Sequence, residues 1–198
     1  MPHRATVPFV AAAAADAAMA LTGQDRVRRF TKPLLMPLLM LGRESPVQRA
    51  LALGGLGDVA LLGSSDAAFT GGLISFLAGH VAWVTALRPG SRGVIRRRPA
   101  LVAPYIAAWI GLNAYLWGRT GRNRIPVLVY SGALLSTALA ALDTGDRVTT
   151  AGGVLFMASD SLLALERFGE LPLPGHEGIV MTTYAAAQAC LAHESDVT

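Results

Sequence analysis

Val148-Thr149-Thr150-Ala151-Gly152-Gly153-Val154-Leu155-Phe156-Met157-Ala158-Ser159-Asp160-Ser161-Leu162-Leu163-Ala164-Leu165-Glu166 carries a single charge, Asp160, before its terminal glutamate. As an α-helix, a run of this length rises about 28 Å, close to the hydrocarbon thickness of a bilayer. So apolar a helix has no polar face to offer water. It therefore reads as a membrane span with an aspartate inside it.

The same signal recurs along the chain. Apolar windows between polar breaks predict eight helices: Val7 to Leu21, Lys32 to Gly42, Val47 to Gly63, Ala67 to Leu87, Ala100 to Gly118, Ile125 to Asp143, Val148 to Glu166 and Glu177 to Ala192. In the second, Pro33 is expected in the first turn, where its missing N–H costs nothing, and Pro37 to kink the helix. Leu171-Pro172-Leu173-Pro174-Gly175 reads as a linker. With 198 residues, 53% of them apolar and 15% charged, and a mean hydropathy of +0.45, the chain has too few polar groups to cover a soluble surface. The expected fold is all-α: one transmembrane bundle of about eight spans over residues 1–198, with no separate soluble module. Gly54-Gly55-Leu56-Gly57 and Gly71-Gly72 allow close helix approach in lipid.

The net charge is +4, from 17 basic residues of which only Lys32 is a lysine, grouped in short clusters between apolar runs. That pattern suits a membrane surface, and no nucleic-acid partner is expected. Counting arginine and lysine in the loops hardly separates the two sides; Arg96-Arg97-Arg98 points to a cytoplasmic N-terminus. Arg4, an alanine-rich run and Ala18-Met19-Ala20 resemble parts of a secretory signal, but Asp16 interrupts the run, and a retained first span is expected. Cys190 is the only cysteine, which leaves no internal disulfide or cysteine-based metal site. Richness in alanine and arginine is associated with bacteria of high genomic GC content, so the expected location is a bacterial inner membrane. Oligomeric state has no signature in the sequence.

Ionisable groups inside a span cost roughly 2.5 to 3.5 kcal/mol on insertion scales and mark functional sites by default. Here they are Asp16, Asp58, His80 and Asp160, and the polar groups that can join them are Asn113, Tyr130, Ser159, Tyr184 and Gln188. Counted from the nearest expected helix ends, Asp58 and Asp160 lie about 7 and about 9 Å from the same side. Tyr130, Tyr184 and Asn113 fall at about 7 to 10 Å from that side, with Lys32 near the mouth. His80, at about 20 Å, is expected to lie apart. Two carboxylates in one low-dielectric pocket do not titrate alike, so one can be neutral while the other is ionised, as acid/base hydrolysis requires. The alternative is that each aspartate ties helices together through hydrogen bonds. Asp16 fits a structural or pore-facing role, and Tyr184 and Gln188, four apart, fit packing as well as binding.

Familiar motifs are missing. There is no His-Glu-x-x-His and no His/Cys cluster at metal spacing, so no metal or other cofactor is expected. There is no Gly-x-Ser-x-Gly. Gly55-Leu56-Gly57-Asp58 matches the Gly-x-Gly-Asp of intramembrane aspartyl proteases, without their Tyr-Asp partner.

In order along the chain, Lys32-Pro33-Leu34-Leu35, Leu56-Gly57-Asp58-Val59-Ala60-Leu61, Ile74-Ser75-Phe76-Leu77-Ala78-Gly79-His80-Val81, Pro126-Val127-Leu128-Val129-Tyr130, Gly152 to Ala164 and Thr183-Tyr184-Ala185-Ala186-Ala187-Gln188 resemble the lysoplasmalogenase-like (YhhN) membrane family over nearly the whole length. Trp83 departs from it, standing where tyrosine is more usual. The resemblance implies an eight-helix membrane hydrolase that cleaves the vinyl-ether bond of a lysophospholipid substrate, releasing a fatty aldehyde and glycerophosphoethanolamine or glycerophosphocholine. It carries Asp58 and Asp160 over as matched positions. On this reading the two are the catalytic pair, and Lys32, His80, Asn113, Tyr130, Ser159, Tyr184 and Gln188 bind substrate, with Lys32 or a loop arginine meeting the phosphate. A small proton-coupled transporter or lipid-binding protein remains the alternative, with an intramembrane protease as a third reading.

Overall fold

A computed structural model of the chain describes residues 6–22, 25–63, 65–169 and 175–193. Among these residues every regular element is helical: α1 (Thr6–Leu21), α2 (Asp25–Met40), α3 (Ser45–Ala60), α4 (Asp66–Leu87), the short α5 (Val94–Arg97), α6 (Ala103–Leu116), α7 (Arg124–Asp143), α8 (Arg147–Gly169) and α9 (His176–Leu191). Each of the eight expected helices has a counterpart. Four stretches are long and apolar enough to cross a bilayer, namely Asp66–Gly90, Pro99–Leu116, Gly121–Asp143 and Arg147–Gly169, and Val7–Leu21 is a shorter apolar helix. The protein is thus a helical membrane bundle. The linker expected around Leu171 to Pro174 lies outside the described residues.

One boundary departs from expectation with consequences for the site. α2 begins at Asp25, seven residues before Lys32, so Pro33 and Pro37 both lie in the helix interior. The polar stretch before Lys32 was expected to be loop. Long basic side chains at a helix start can reach an interface while the backbone stays helical, so polarity there does not mark a break. The prolines free the carbonyls of Arg29 and Pro33, a loss tolerated where neighbouring groups can re-satisfy them.

Helix neighbours define a closed ring. α1 packs on α2, α2 on α3, α3 on α4, α4 on α7, α7 on α8, α8 on α9, and α9 back on α1, while α6 lies outside, against α7 and α8. Leu35, Met36, Leu51, Trp83, Phe156 and Ala187 are buried inside the ring. Val10, Leu34, Leu56, Ile74, Val81, Ile110, Val129 and Ile179 are exposed, as the lipid-facing side of such a bundle requires. Between α4 and α6, the chain is pinned to the end of α7: Arg92 N–H donates to the Asp143 carbonyl at 2.9 Å, Ile95 N–H to Asp143 Oδ1 at 2.8 Å, and Ser91 Oγ to Asp143 Oδ2.

α8 owes its place to adjacent glycines. A Cβ on Gly152 would sit 2.8 Å from the Leu191 nitrogen and 3.0 Å from the Ala187 oxygen, and one on Gly153 would sit 3.0 Å from Ala138 Cα. Backbone cannot yield as a side-chain tip can, so α8 fits between α7 and α9 only without side chains there. Gly152→Val is expected to destabilise the bundle by about 1–3 kcal/mol, the usual scale of overpacking, read as a lower melting temperature in detergent.

Candidate active site

Asp58 lies two residues before the end of α3 and is 2% exposed. Tyr184 of α9 donates its hydroxyl to Asp58 Oδ2 at 2.9 Å, and Lys32 Nζ of α2 lies 3.4 Å from Oδ1. Room for that tyrosine comes from Gly54, one turn before Asp58, where a Cβ would stand 3.3 Å from the hydroxyl oxygen. Asp160 of α8 has a parallel arrangement, accepting the Tyr130 hydroxyl of α7 on Oδ2 at 2.5 Å. Each of the two carboxylates is thus bonded by a tyrosine from another helix, and among the described residues only Asp58 has a lysine beside it.

His80 does not lie apart. Its Nε2 is 3.4 Å from the Tyr130 oxygen and 3.9 Å from Asp160 Oδ2, and its Nδ1 is 3.1 Å from Thr137 Oγ1. The depth estimate failed for two reasons. α8 continues to Gly169, three residues past the expected end, which sinks Asp160 to about 14 Å. Side-chain reach closes the remaining gap. Thr137, fully buried, also donates to the His80 carbonyl at 3.3 Å and so holds the imidazole from behind. Sequence reading did not single it out, because a threonine in an apolar span is not distinctive.

Both aspartates, both tyrosines, Lys32, Asn113 and Ser159 line one cavity of about 460 Å³. That is within the range of small-molecule sites, roughly 300–1,000 Å³. Its surface is largely apolar, with Leu61, Leu62, Leu73, Leu112, Val127 and Leu134 among the lining residues, and Arg28, Arg29 and Arg167 line it too. Arg28 donates to Glu177 and lies 4.0 Å from Asp16, which accepts a 2.6 Å bond from Thr31. Asp16 therefore ties α1 to α2 and is not among the lining residues. The Arg167 guanidinium lies over Phe69, 3.8 Å from the ring centroid.

Several of the expected substrate contacts also make hydrogen bonds within the protein. His80 and Gln188 are not among the lining residues; Gln188 Oε1 accepts the buried Trp83 indole N–H at 3.1 Å. Trp83 is thus an internal hydrogen-bond donor. Ser159 spends its hydroxyl on the Val180 carbonyl, 3.1 Å away, joining α8 to α9. Asn113 donates to the Trp109 carbonyl at 2.9 Å and accepts from Ser131 at 3.2 Å, fastening α6 to α7 while remaining on the wall. Lys32 lies inside the cavity against Asp58, not at the mouth, because α2 starts two turns earlier than expected. Among the described residues no group of three His, Cys, Asp or Glu side chains is placed to hold a metal ion.

Comparison with known proteins finds curated relatives named lysoplasmalogenase. A lysoplasmalogenase of Mycobacterium bovis is 35% identical over 132 residues, 61% of this chain and 48% of that protein. Lysoplasmalogenases of Sus scrofa and Homo sapiens are 31% and 32% identical over 152 and 147 residues, covering 76% and 72% of this chain and 63% and 59% of theirs. The chain therefore spans about half to three fifths of the length of the relatives it matches. No solved structure matches it. The YhhN family pattern matches residues 27–195, which hold every residue that lines the cavity, and the chain belongs to that family.

Proposed function

We propose that the protein is a lysoplasmalogenase: it hydrolyses the vinyl-ether bond of a lysoplasmalogen to a fatty aldehyde and glycerophosphoethanolamine or glycerophosphocholine. The observation that carries this reading is the pair of buried aspartates, each bonded by a tyrosine, on the wall of one largely apolar cavity. All eight long helices are taken to lie in a bacterial inner membrane, the shorter α1, α2, α3 and α9 spanning it with the help of their interfacial polar ends.

Acid hydrolysis of an enol ether begins with proton transfer to the β-carbon. The oxocarbenium ion so formed captures water, and the hemiacetal collapses to aldehyde and the free glycerol hydroxyl. Asp58, facing the Lys32 ammonium, is the ionised partner, stabilising the cation and orienting water. Asp160 is the acid. It accepts Tyr130 on Oδ2 and carries its proton on Oδ1. Tyr130 and Tyr184 fix the two carboxyl planes, and His80 with Thr137 fixes Tyr130. The alkenyl chain occupies the aliphatic part of the cavity, and the phosphate meets Arg29 and Arg167 at the polar end.

Purified protein in detergent should release aldehyde from lysoplasmalogen with no ion gradient present. Failure to do so, with gradient-dependent uptake by vesicles instead, would favour a transporter. The two arginines have a separate readout. Arg29→Gln with Arg167→Gln should raise KM for lysoplasmalogen about tenfold or more, the scale of a lost charge-assisted hydrogen bond. For 1-alkenylglycerol, which has no phosphate, KM should not change; equal effects on both substrates would remove the arginines from head-group binding.

A further inference from the structure

The chain has one lysine, and it stands where the proposed reaction makes a carbonyl group. Lys32 Nζ is 3.4 Å from Asp58 Oδ1, its side chain is only 12% exposed, and it lines the same cavity as Asp160 and the aliphatic wall. The carbon that becomes the aldehyde carbonyl is the one that bears the cation, and on the reading above that carbon forms against Asp58. An electrophilic carbonyl is then within one carboxylate's width of a primary amine, in a cavity whose walls hold the alkyl chain in place.

We infer that Lys32 captures fatty aldehyde in the cavity as a reversible Schiff base. The ammonium passes one proton to the adjacent Asp58 carboxylate; in an apolar cavity a neutral amine beside a neutral acid competes with the ion pair, because burial penalises both charges. The amine lone pair adds to the carbonyl carbon, the carbonyl oxygen takes up a proton, and the carbinolamine loses water to leave C=N. No oxidant or reductant takes part, and addition of water reverses every step. The consequence is a protein that retains its aldehyde product until water or a membrane acceptor claims it. It also makes the aldehyde a covalent, reversible inhibitor, since Lys32 is withdrawn from Asp58 while the imine lasts.

This inference rests on the hydrolase reading for the origin of the aldehyde, but its test does not. The intact protein in detergent is incubated with hexadecanal and sodium cyanoborohydride, which reduces an imine to a stable secondary amine, and the adduct is located by peptide mass mapping. Labelling at Lys32 is expected to saturate with hexadecanal, to exceed labelling by butanal at least about tenfold because the bound chain holds the carbonyl in place, and to be suppressed by a 1-O-alkyl lysophospholipid. Lys32→Arg should abolish it. Should that variant not fold, saturation and competition in the unaltered protein still decide. Adduct confined to the N-terminal amine, or Lys32 labelled equally by the short and long aldehydes, would overturn the proposal. Hydrolysis of lysoplasmalogen without an adduct would overturn it and leave the hydrolase reading standing. An adduct in a protein that releases no aldehyde from lysoplasmalogen would do the reverse.

Discussion

Asp160→Asn is expected to lower kcat for vinyl-ether hydrolysis by about 10²–10⁴-fold, the range a positioned general acid supplies. The amide oxygen still accepts the Tyr130 hydroxyl, so the bond between α7 and α8 survives and the melting temperature in detergent should move little. Asparagine has no proton to give to carbon. Asp58→Asn is expected to reduce kcat on the same scale for a different reason, since it removes the negative charge that faces the oxocarbenium ion. The two variants separate in their pH dependence. A reaction that needs one carboxyl protonated and the other ionised declines on both sides of an optimum, and each variant should lose the limb that its aspartate contributes. Aldehyde release at the unaltered rate in either variant would end the assignment of this pair.

Lys32→Met should be the most destabilising substitution in the site. Asp58 is 3% exposed at its side chain, and removing the ammonium leaves a buried carboxylate with Tyr184 alone. Breaking one side of a buried ion pair costs about 3–5 kcal/mol, far more than the pair itself contributes relative to apolar residues of the same size. The double variant Lys32→Met/Asp58→Asn should therefore recover much of the loss, because neither charge remains. Thermal unfolding of the two single variants and the double variant closes the cycle. Additive losses would show that Lys32 and Asp58 act independently, contrary to their 3.4 Å separation.

Much of the bundle was legible in the order of residues. Apolar runs identify helices because lipid imposes one requirement on them all, that backbone groups pair within the helix. Asp58 and Asp160 stood out for the same reason: a carboxyl group in such a run is costly enough to be conspicuous. The start of α2 was illegible, since Arg26, Arg28 and Arg29 look the same in sequence whether they sit in a loop or on an interfacial helical turn. That misreading put Lys32 at the mouth. The roles of Ser159 and Gln188 were equally hidden, because a polar side chain satisfied by a neighbouring helix and one aimed at a ligand are identical in one dimension.

Residue order thus settled the class of fold, the family resemblance and the presence of Asp58 and Asp160 inside apolar helices, while the true end of α8 moved Asp160 from about 9 to about 14 Å along its helix. Helical rise is nearly constant, so distance along an axis can be counted. Which helices are neighbours, and which way each is turned, cannot be counted. Tyr184 reaches Asp58 across 126 residues because α9 closes the ring against α1, which turns it toward the same interior that α3 faces. His80 meets Tyr130 and Thr137 because α4 packs on α7, with α6 displaced to the outside. The same packing separates the two aspartates by their partners, giving one a tyrosine and a lysine and the other a tyrosine backed by histidine. Those assignments depend on side chains from distant helices filling the same small volume, and on glycines such as Gly54 and Gly152 that let them approach.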